Sequence, residues 1–176
     1  MEKNIVVGVS GGIAAYKACD VVSKLKKQGF KIDVIMTKNA QEFVSPLTFQ
    51  TLSNQKVVTD MFETPSDWNV EHIELAKKAD VFVIVPATAN IIGKIANGIA
   101  DDMLTTTIMA TEAKKVIVPA MNTKMYHNPL VQENILKLKK HGYYFIEPVS
   151  GLLACGDTGK GKMEDSTVIV EELCLI

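Results

Sequence analysis

The feature that most constrains this chain is the recurrence of short β-branched runs separated by stretches with helical spacing. The runs Ile5 to Val9, Ile32 to Met36, Val81 to Val85, Val116 to Val118 and Tyr143 to Ile146 are mostly apolar rather than strictly alternating. That is how strands covered on both faces read. Their alternation with helices predicts βαβ units and an open, mainly parallel α/β sheet with helices on both faces. Between the first two runs, Ala14, Ala18, Val21, Val22 and Leu25 form one apolar helical face, Lys17, Lys24 and Lys27 lie largely off it, and Gly29 suits a C-terminal stop. A second helix is expected from Asn128 to His141, with Pro129 in its first turn and Leu130, Ile135, Leu136 and Leu138 facing inward. Two stretches read as loops: Glu63 to Val70, with Pro65, Asp67 and Trp68, and Val149 to Asp165, which holds four of the 11 glycines. The length of the second makes it a candidate lid.

A chain of 176 residues that is 47% hydrophobic can bury a core, and one domain spanning 1–176 is expected. Its 19 basic and 20 acidic residues give a net charge of −1, so there is no global basic field to gather nucleic acid or an anionic membrane. Cys19, Cys155 and Cys174 form no CxxC and are odd in number, which argues against a disulfide framework and against a structural zinc site. The apolar start is too short for a signal segment, and no run approaches the roughly 18 apolar residues of a membrane span, so a cytoplasmic protein is expected.

The first strand runs into Gly8-Val9-Ser10-Gly11-Gly12-Ile13. A glycine turn between strand and helix offers free backbone N–H groups at the positive end of a helix dipole, which favours a phosphate. The alternative is a tight turn that needs glycine for its backbone alone. Ser10 and Ile13 stand where the dinucleotide fingerprint needs its second and third glycines, so a standard NAD site is disfavoured. Gly156 to Met163 satisfies GxxxxGK but puts Met163 where a nucleotide-triphosphatase needs a hydroxyl for magnesium, and that reading is rejected.

Four segments in order carry a resemblance: Gly11 to Lys17 (GGIAAYK), His72 to Leu75 (HIEL), Pro86 to Asn90 (PATAN) continuing through Lys94, Asn97, Gly98, Asp101, Asp102 and Leu104, and Pro119 to Asn122 (PAMN) with Met125. Together they resemble the flavin-containing cysteine decarboxylases. With Ala154-Cys155-Gly156-Asp157 added, the chain is similar, from Lys3 to about Asp165, to the phosphopantothenoylcysteine decarboxylase branch of that family, which serves coenzyme A biosynthesis. The resemblance implies a flavodoxin-like fold and FMN held near a subunit contact in homotrimers, often assembled into dodecamers. It also implies a separate or fused ligase that makes the substrate, and a chain that is either a stand-alone decarboxylase or that part of a longer protein.

Ser10, Gly11, Gly12 and Thr37 lie at the expected carboxyl ends of the first two strands, and Thr88 and Asn90 follow another, where open α/β sheets bind ligands. They are the candidate FMN contacts; Thr37 and Thr88 would equally suit helix N-caps. By resemblance, Pro86, Ala87 and the rest of that segment flank the flavin together with Ala120. His72 can accept or relay a proton near neutral pH, and its HIEL context matches the family's active-site histidine, although a lone histidine is more often structural. Asn122 can donate to a substrate carboxylate or simply form a turn; the family uses this asparagine to hold substrate, with Met121 and Met125 as apolar walls. Ala154 and Gly156 are candidate substrate contacts on either side of Cys155, which matches the cysteine that completes reduction in the coenzyme A enzyme, whereas Cys19 and Cys174 read as small buried hydrophobes. Lys160 or Lys162 can meet a substrate phosphate, the alternative being a solvated charged loop.

The chemistry implied by the resemblance answers a specific difficulty. An N-acylated cysteine has no electron sink for its carboxylate, so direct loss of carbon dioxide would leave an unstabilised carbanion. Transfer of hydride from Cβ to FMN with loss of the thiol proton makes a thioaldehyde, from which carbon dioxide departs to give an enethiolate. Return of the hydride, with a proton from Cys155, gives 4′-phosphopantetheine from 4′-phosphopantothenoylcysteine without net redox change. A flavin prenyltransferase shares the fold but is not expected to carry PAMN and ACGD together, and a non-catalytic flavin-binding subunit is not expected to keep His72, Asn122 and Cys155 in one chain.

Overall fold

A computed structural model describes residues 3–62 and 71–176, so the loop expected from Glu63 to Val70 lies outside the described residues. The helices and strands follow in the order β1 (Asn4–Val9), α1 (Ala15–Lys27), β2 (Lys31–Met36), a short 3-10 turn (Lys38–Glu42), α2 (Pro46–Ser53), β3 (Val57–Val58), α3 (Glu71–Lys78), β4 (Val81–Ala87), α4 (Ala89–Ala96), α5 (Met103–Ala110), β5 (Lys114–Pro119), α6 (Thr123–Tyr126), α7 (Pro129–Lys140), β6 (Tyr144–Phe145), β7 (Val149–Leu152), β8 (Thr158–Lys162) and α8 (Ser166–Leu175).

Six strands form one sheet in the order β3-β2-β1-β4-β5-β6, every pair parallel. Without the two-residue edge strand β3 this is the flavodoxin order, and the chain reverses its direction of travel between β1 and β4. At such a reversal the loops leaving the two central strands diverge, and a crevice opens at their carboxyl ends.

Apolar side chains fill both faces, which is why the strands read as continuous hydrophobic runs. On one face Ile5, Val7 and Val9 of β1 meet α1 and α8 through Ala18, Val22, Ile169 and Leu173, while Phe49 of α2 joins the same cluster. On the other, Val6, Phe82 and Ile84 meet α3, α4, α5 and α7 through Leu75, Ile91, Leu104 and Ile135. Gly8 in mid-strand has a steric reason: a Cβ there would lie 2.9 Å from Leu104 Cδ1. Asp33 is the polar exception in β2, and its carboxylate is met by Lys78 Nζ of α3 at 2.6 Å.

Helix α1 buries Ala15, Ala18, Val21, Val22 and Leu25 and carries Lys24, Lys26 and Lys27 in its last turn, where cations oppose the dipole. Gly29 follows at φ 88°, a left-handed conformation glycine adopts without penalty. Helix α7 begins at Pro129, capped by Asn128 Oδ1, which accepts from Leu130 N at 3.0 Å. Ile135 and Leu138 are buried, but Leu130 and Leu136 are 69% and 57% exposed, contrary to the inward positions expected of them. Helix α7 packs on one side only, and its apolar stripe is narrower than the spacing suggests.

The stretch Val149 to Asp165, expected to be a loop, contains the antiparallel hairpin β7–β8 and the start of the connection to α8. Its strands, VSGL and TGKGK, lack the period-two apolar pattern because the hairpin does not belong to the core sheet. Cys174 is exposed rather than buried, while Cys19 is half-buried against the core. Among the described residues no helix is long and apolar enough to cross a membrane.

Candidate active site

The crevice at the β1/β4 reversal is a cleft of about 1000 Å³ whose opposite wall is the β7–β8 hairpin. It draws together Ser10, Gly11, Gly12, Thr37, Thr88, Asn90, Ala120, Asn122, Met125, Ala154 and Cys155 from positions scattered over most of the chain.

Ser10 ends β1 and ties it to the β4–α4 turn. Its Oγ donates to Pro86 O at 2.8 Å and accepts from Thr88 N at 3.1 Å. Pro86 follows a cis peptide bond, and neither it nor the buried Ala87 lines the cleft; Ala87 O accepts from Ala120 N at 3.0 Å and so joins two cleft turns. Thr88 caps α4 by accepting from Ile91 N at 3.3 Å, and Thr37 caps the 3-10 turn by accepting from Ala40 N at 3.2 Å. The cap and ligand readings are compatible, because an N-cap uses a lone pair and leaves the hydroxyl proton available.

The glycine turn is shaped by what surrounds it. A Cβ on Gly11 would lie 2.4 Å from Asn39 Cβ and 2.7 Å from the Asn39 carbonyl carbon, so only glycine lets the turns after β1 and β2 close on each other. A Cβ on Gly12 would find only Thr88 Cγ2, at 3.5 Å, so Gly12 is not needed for packing. It leaves backbone bare on the cleft side, at the start of α1, where an anion is favoured.

Across the cleft, Asn122 caps α6, its Oδ1 accepting from Lys124 N at 2.8 Å. Its Nδ2 reaches the hairpin, donating to Asp157 Oδ2 at 2.9 Å and to Cys155 Sγ at 3.2 Å. Cys155 sits in a tight turn at the hairpin tip, closed by Gly156 N donating to Leu153 O at 2.9 Å. Gly156 has φ 88° and lies in the turn rather than on the cleft wall. The Asn122 amide, then the Cys155 thiol, hold the Asp157 carboxyl below its usual range. The hairpin leans on the Pro-Ala-Met-Asn turn: Met121 N donates to Gly161 O at 2.9 Å, and a Cβ on Gly161 would lie 2.3 Å from Met121 O.

His72 stands apart. It is half-buried in the first turn of α3, a helix packed on α5, and is not among the residues lining the cleft of its own chain. The cleft also contains Lys17, Lys38, Lys94, Asp102 and Lys162, to which no site role is given by the sequence reading beyond Lys162 as an alternative phosphate contact. Lys94 bonds Asp101 Oδ1 at 2.7 Å and lies 3.5 Å from Asp102 Oδ2; the Asp101 bond raises its ammonium above the ordinary range against the opposing effect of burial. Asp102 also caps α5, accepting from Thr105 N at 2.8 Å. A lysine in the last turn of α4 and an acidic pair seven and eight residues on is the signal from which this pair could have been found.

A family model described as "Flavoprotein" matches residues 1–175. The chain belongs to the flavoprotein family. This flavoprotein is 53% identical over 170 residues, 97% of its length, to the coenzyme A biosynthesis bifunctional protein CoaBC of Bacillus subtilis (strain 168), of which the match covers 42%. It is 45% identical over 175 residues to a probable phosphopantothenoylcysteine decarboxylase of Streptococcus mutans, covering 98% of each chain. Its fold superposes with a TM-score of 0.88, at 32% identity and over 99% and 98% of the two chains, on a Cys-to-Ser variant of PPC decarboxylase complexed with pantothenoylaminoethenethiol. The flavoprotein chain thus spans about two fifths of the length of the bifunctional relatives it matches.

The cleft fits a flavin mononucleotide on its own geometry. Its glycine turn presents bare backbone at a helix start, hydroxyls of Ser10, Thr37 and Thr88 stand around it, and apolar Ala120 and Met121 line the cleft beyond. Replacing Gly11 with alanine is expected to drive the two turns apart and to lower the flavin retained on purification at least tenfold, read from the ratio of flavin to protein absorbance. Full retention would contradict the assignment of the phosphate end.

Proposed function

We propose that this flavoprotein catalyses the FMN-dependent decarboxylation of 4′-phosphopantothenoylcysteine to 4′-phosphopantetheine in coenzyme A biosynthesis. The observation that carries the reading is the meeting of Asn122 and Cys155, with Asp157 bonded to the Asn122 amide, on one wall of a cleft whose other wall is a phosphate-favouring glycine turn. Similarity over nearly the full length of a phosphopantothenoylcysteine decarboxylase supports it.

Ser10, Gly11, Gly12 and Thr88 hold the FMN phosphate and ribityl chain, with Thr37, Asn90 and Ala120 beside them. Bound there, FMN supplies a reversible hydride acceptor, which provides the electron sink that the substrate lacks. Asn122 turns its amide donor from Asp157 to the substrate carboxylate and orients it, Met125 and Ala154 cover the apolar arm, and Cys155 delivers a proton to the unsaturated thiol. Because Asp157 already accepts from Asn122, its carboxylate occupies the donor that an incoming carboxylate must take.

His72 handles the thiol proton, and we assign it to the cleft of a neighbouring copy in a homotrimer or a dodecamer built from trimers. Large apolar side chains exposed beside the cleft support a covering partner: Ile13 is 57% exposed, Tyr16 58% and Leu152 67%. The setting is cytoplasmic, with the substrate supplied by a ligase, in keeping with the bifunctional relatives.

The test is release of carbon dioxide from carboxyl-labelled 4′-phosphopantothenoylcysteine. The FMN-loaded protein is expected to release the label and the flavin-stripped protein is not; equal release, or none from either, would contradict the reading.

A further inference from the structure

The hairpin carries two lysines two residues apart, and the structure separates their situations. Lys160 is engaged: its Nζ lies 3.5 Å from Glu147 Oε2 and 5.4 Å from the centre of the Tyr126 ring. Glu147 is itself bound by the Tyr126 hydroxyl and by Lys139, both at 2.5 Å, so Lys160 belongs to a cluster that fastens the hairpin to α6 and α7. Lys162 lines the cleft, half-buried, and its ammonium has no hydrogen-bond or ion-pair partner among the described residues.

The position of Lys162 is built. Gly161 before it is pressed on Met121, and across the hairpin the Lys162 stem lies along Gly151, where a Cβ would be 3.1 Å from its Cδ and 3.5 Å from its Nζ. A side chain at residue 151 would displace that stem. The remaining cations of the cleft are differently placed. Lys94 is neutralised by Asp101 and Asp102, and Lys17 and Lys38 belong to α1 and the turn after β2, beside the glycine turn. Lys162 is the one that stands on the hairpin wall with Cys155.

An ammonium that faces a cleft with no counter-charge beside it is free to meet the anionic group of a ligand, and lysine is a common point-charge partner for phosphate. Length favours the substrate as that ligand. Strand β8 separates Lys162 at the hairpin base from the Cys155 tip, and the rise from Thr158 to Lys162 is roughly 13 Å. An extended phosphopantothenoyl arm places its phosphorus about eleven bonds from the cysteine Cα, also on the order of 13 Å.

Resting on the proposed decarboxylase reading, we infer that Lys162 is the residue that recognises the terminal phosphate of the substrate and sets the preference for the phosphorylated arm over its dephospho form. Lys160 serves structure instead.

The experiment compares FMN-loaded wild type, Lys162→Met, Lys162→Arg and Lys160→Met with 4′-phosphopantothenoylcysteine and with pantothenoylcysteine, and measures binding of the unreactive fragments 4′-phosphopantothenate and pantothenate by calorimetry. A hydrogen bond between charged groups corresponds to a tenfold to hundredfold effect, to order of magnitude. Lys162→Met should therefore raise KM and Kd about 10- to 100-fold for the phosphorylated compounds, while those for the dephospho compounds stay within about twofold. Lys162→Arg should keep most of the preference, and Lys160→Met should affect both classes alike. Equal losses for both classes in Lys162→Met, or an unchanged ratio, would overturn the inference. Loss of FMN from Lys162→Met with the substrate preference intact would assign the ammonium to the flavin phosphate and overturn it too. If wild type turns over neither compound, the decarboxylase reading falls and this inference with it; wild-type turnover with an unchanged ratio removes only the role of Lys162.

Discussion

Replacing Cys155 with serine is expected to leave carbon dioxide release running and to stop the reaction at the unsaturated thiol. The side chain lies at the tip of the hairpin, exposed, with Sγ accepting from Asn122 Nδ2 at 3.2 Å. A serine hydroxyl is nearly isosteric and can keep that contact, so the turn closed by Gly156 and Leu153 should survive. What changes is acidity. A thiol is a far stronger acid than an aliphatic hydroxyl, and a general acid in the transition state is worth about 10²- to 10⁴-fold. Saturated product should therefore form at least about 10²-fold more slowly, while carboxyl-label release in the first turnover stays within a few-fold of wild type. Mass analysis of the quenched reaction separates the two species. Clean formation of saturated product by the variant would remove Cys155 from the chemistry.

Asn122→Asp should be the more severe lesion for the whole cycle. The wild-type amide divides its work: Oδ1 accepts from Lys124 N and caps α6, while Nδ2 faces Asp157 and Cys155. Aspartate retains the cap, because a carboxylate oxygen accepts from the same N–H, so α6 should stay folded. It replaces the donor with a charged acceptor that meets Asp157 and the incoming substrate carboxylate as like charges. Loss of a charge-assisted hydrogen bond together with that repulsion should lower kcat/KM by about 10³-fold, with flavin retention unchanged because Asn122 is across the cleft from the glycine turn. A drop of less than tenfold would mean that Asn122 is only the cap of α6. Alanine is the less informative change, since it also removes the cap at about 1 kcal/mol.

Much of the fold was legible because both faces of the sheet are covered. Strands such as Ile5–Val9 and Val81–Val85 are continuous apolar runs for the same reason that they are central. The hairpin β7–β8 was not legible: its glycines and lysines serve close contacts with Met121, Thr123 and the cleft rather than a core, so no apolar period marks it. Leu130 and Leu136 misled because helical spacing reports which residues share a stripe, not how wide a stripe the neighbours cover.

The candidate site divides in the same way. Ser10, Gly11, Gly12 and Thr88 could be read from their places after strands, because topology alone sends strand ends to the crevice. Asn122 and Cys155 came from motifs, and only the folded hairpin explains why they meet, 33 positions apart. The Lys94 pair with Asp101 and Asp102 depends on a loop returning on its own helix. His72 could not be located from one chain's periodicity, since nothing in the HIEL stretch signals that this turn of α3 lies off the cleft of its own chain.

The most direct test of the account is the mass of the product formed from 4′-phosphopantothenoylcysteine by the FMN-loaded wild-type protein. The predicted result is the substrate minus carbon dioxide alone, which requires both the oxidative and the reductive half of the cycle on one protein. Loss of carbon dioxide plus two hydrogens would contradict the role given to Cys155, and unchanged substrate with flavin bound would contradict the decarboxylase itself.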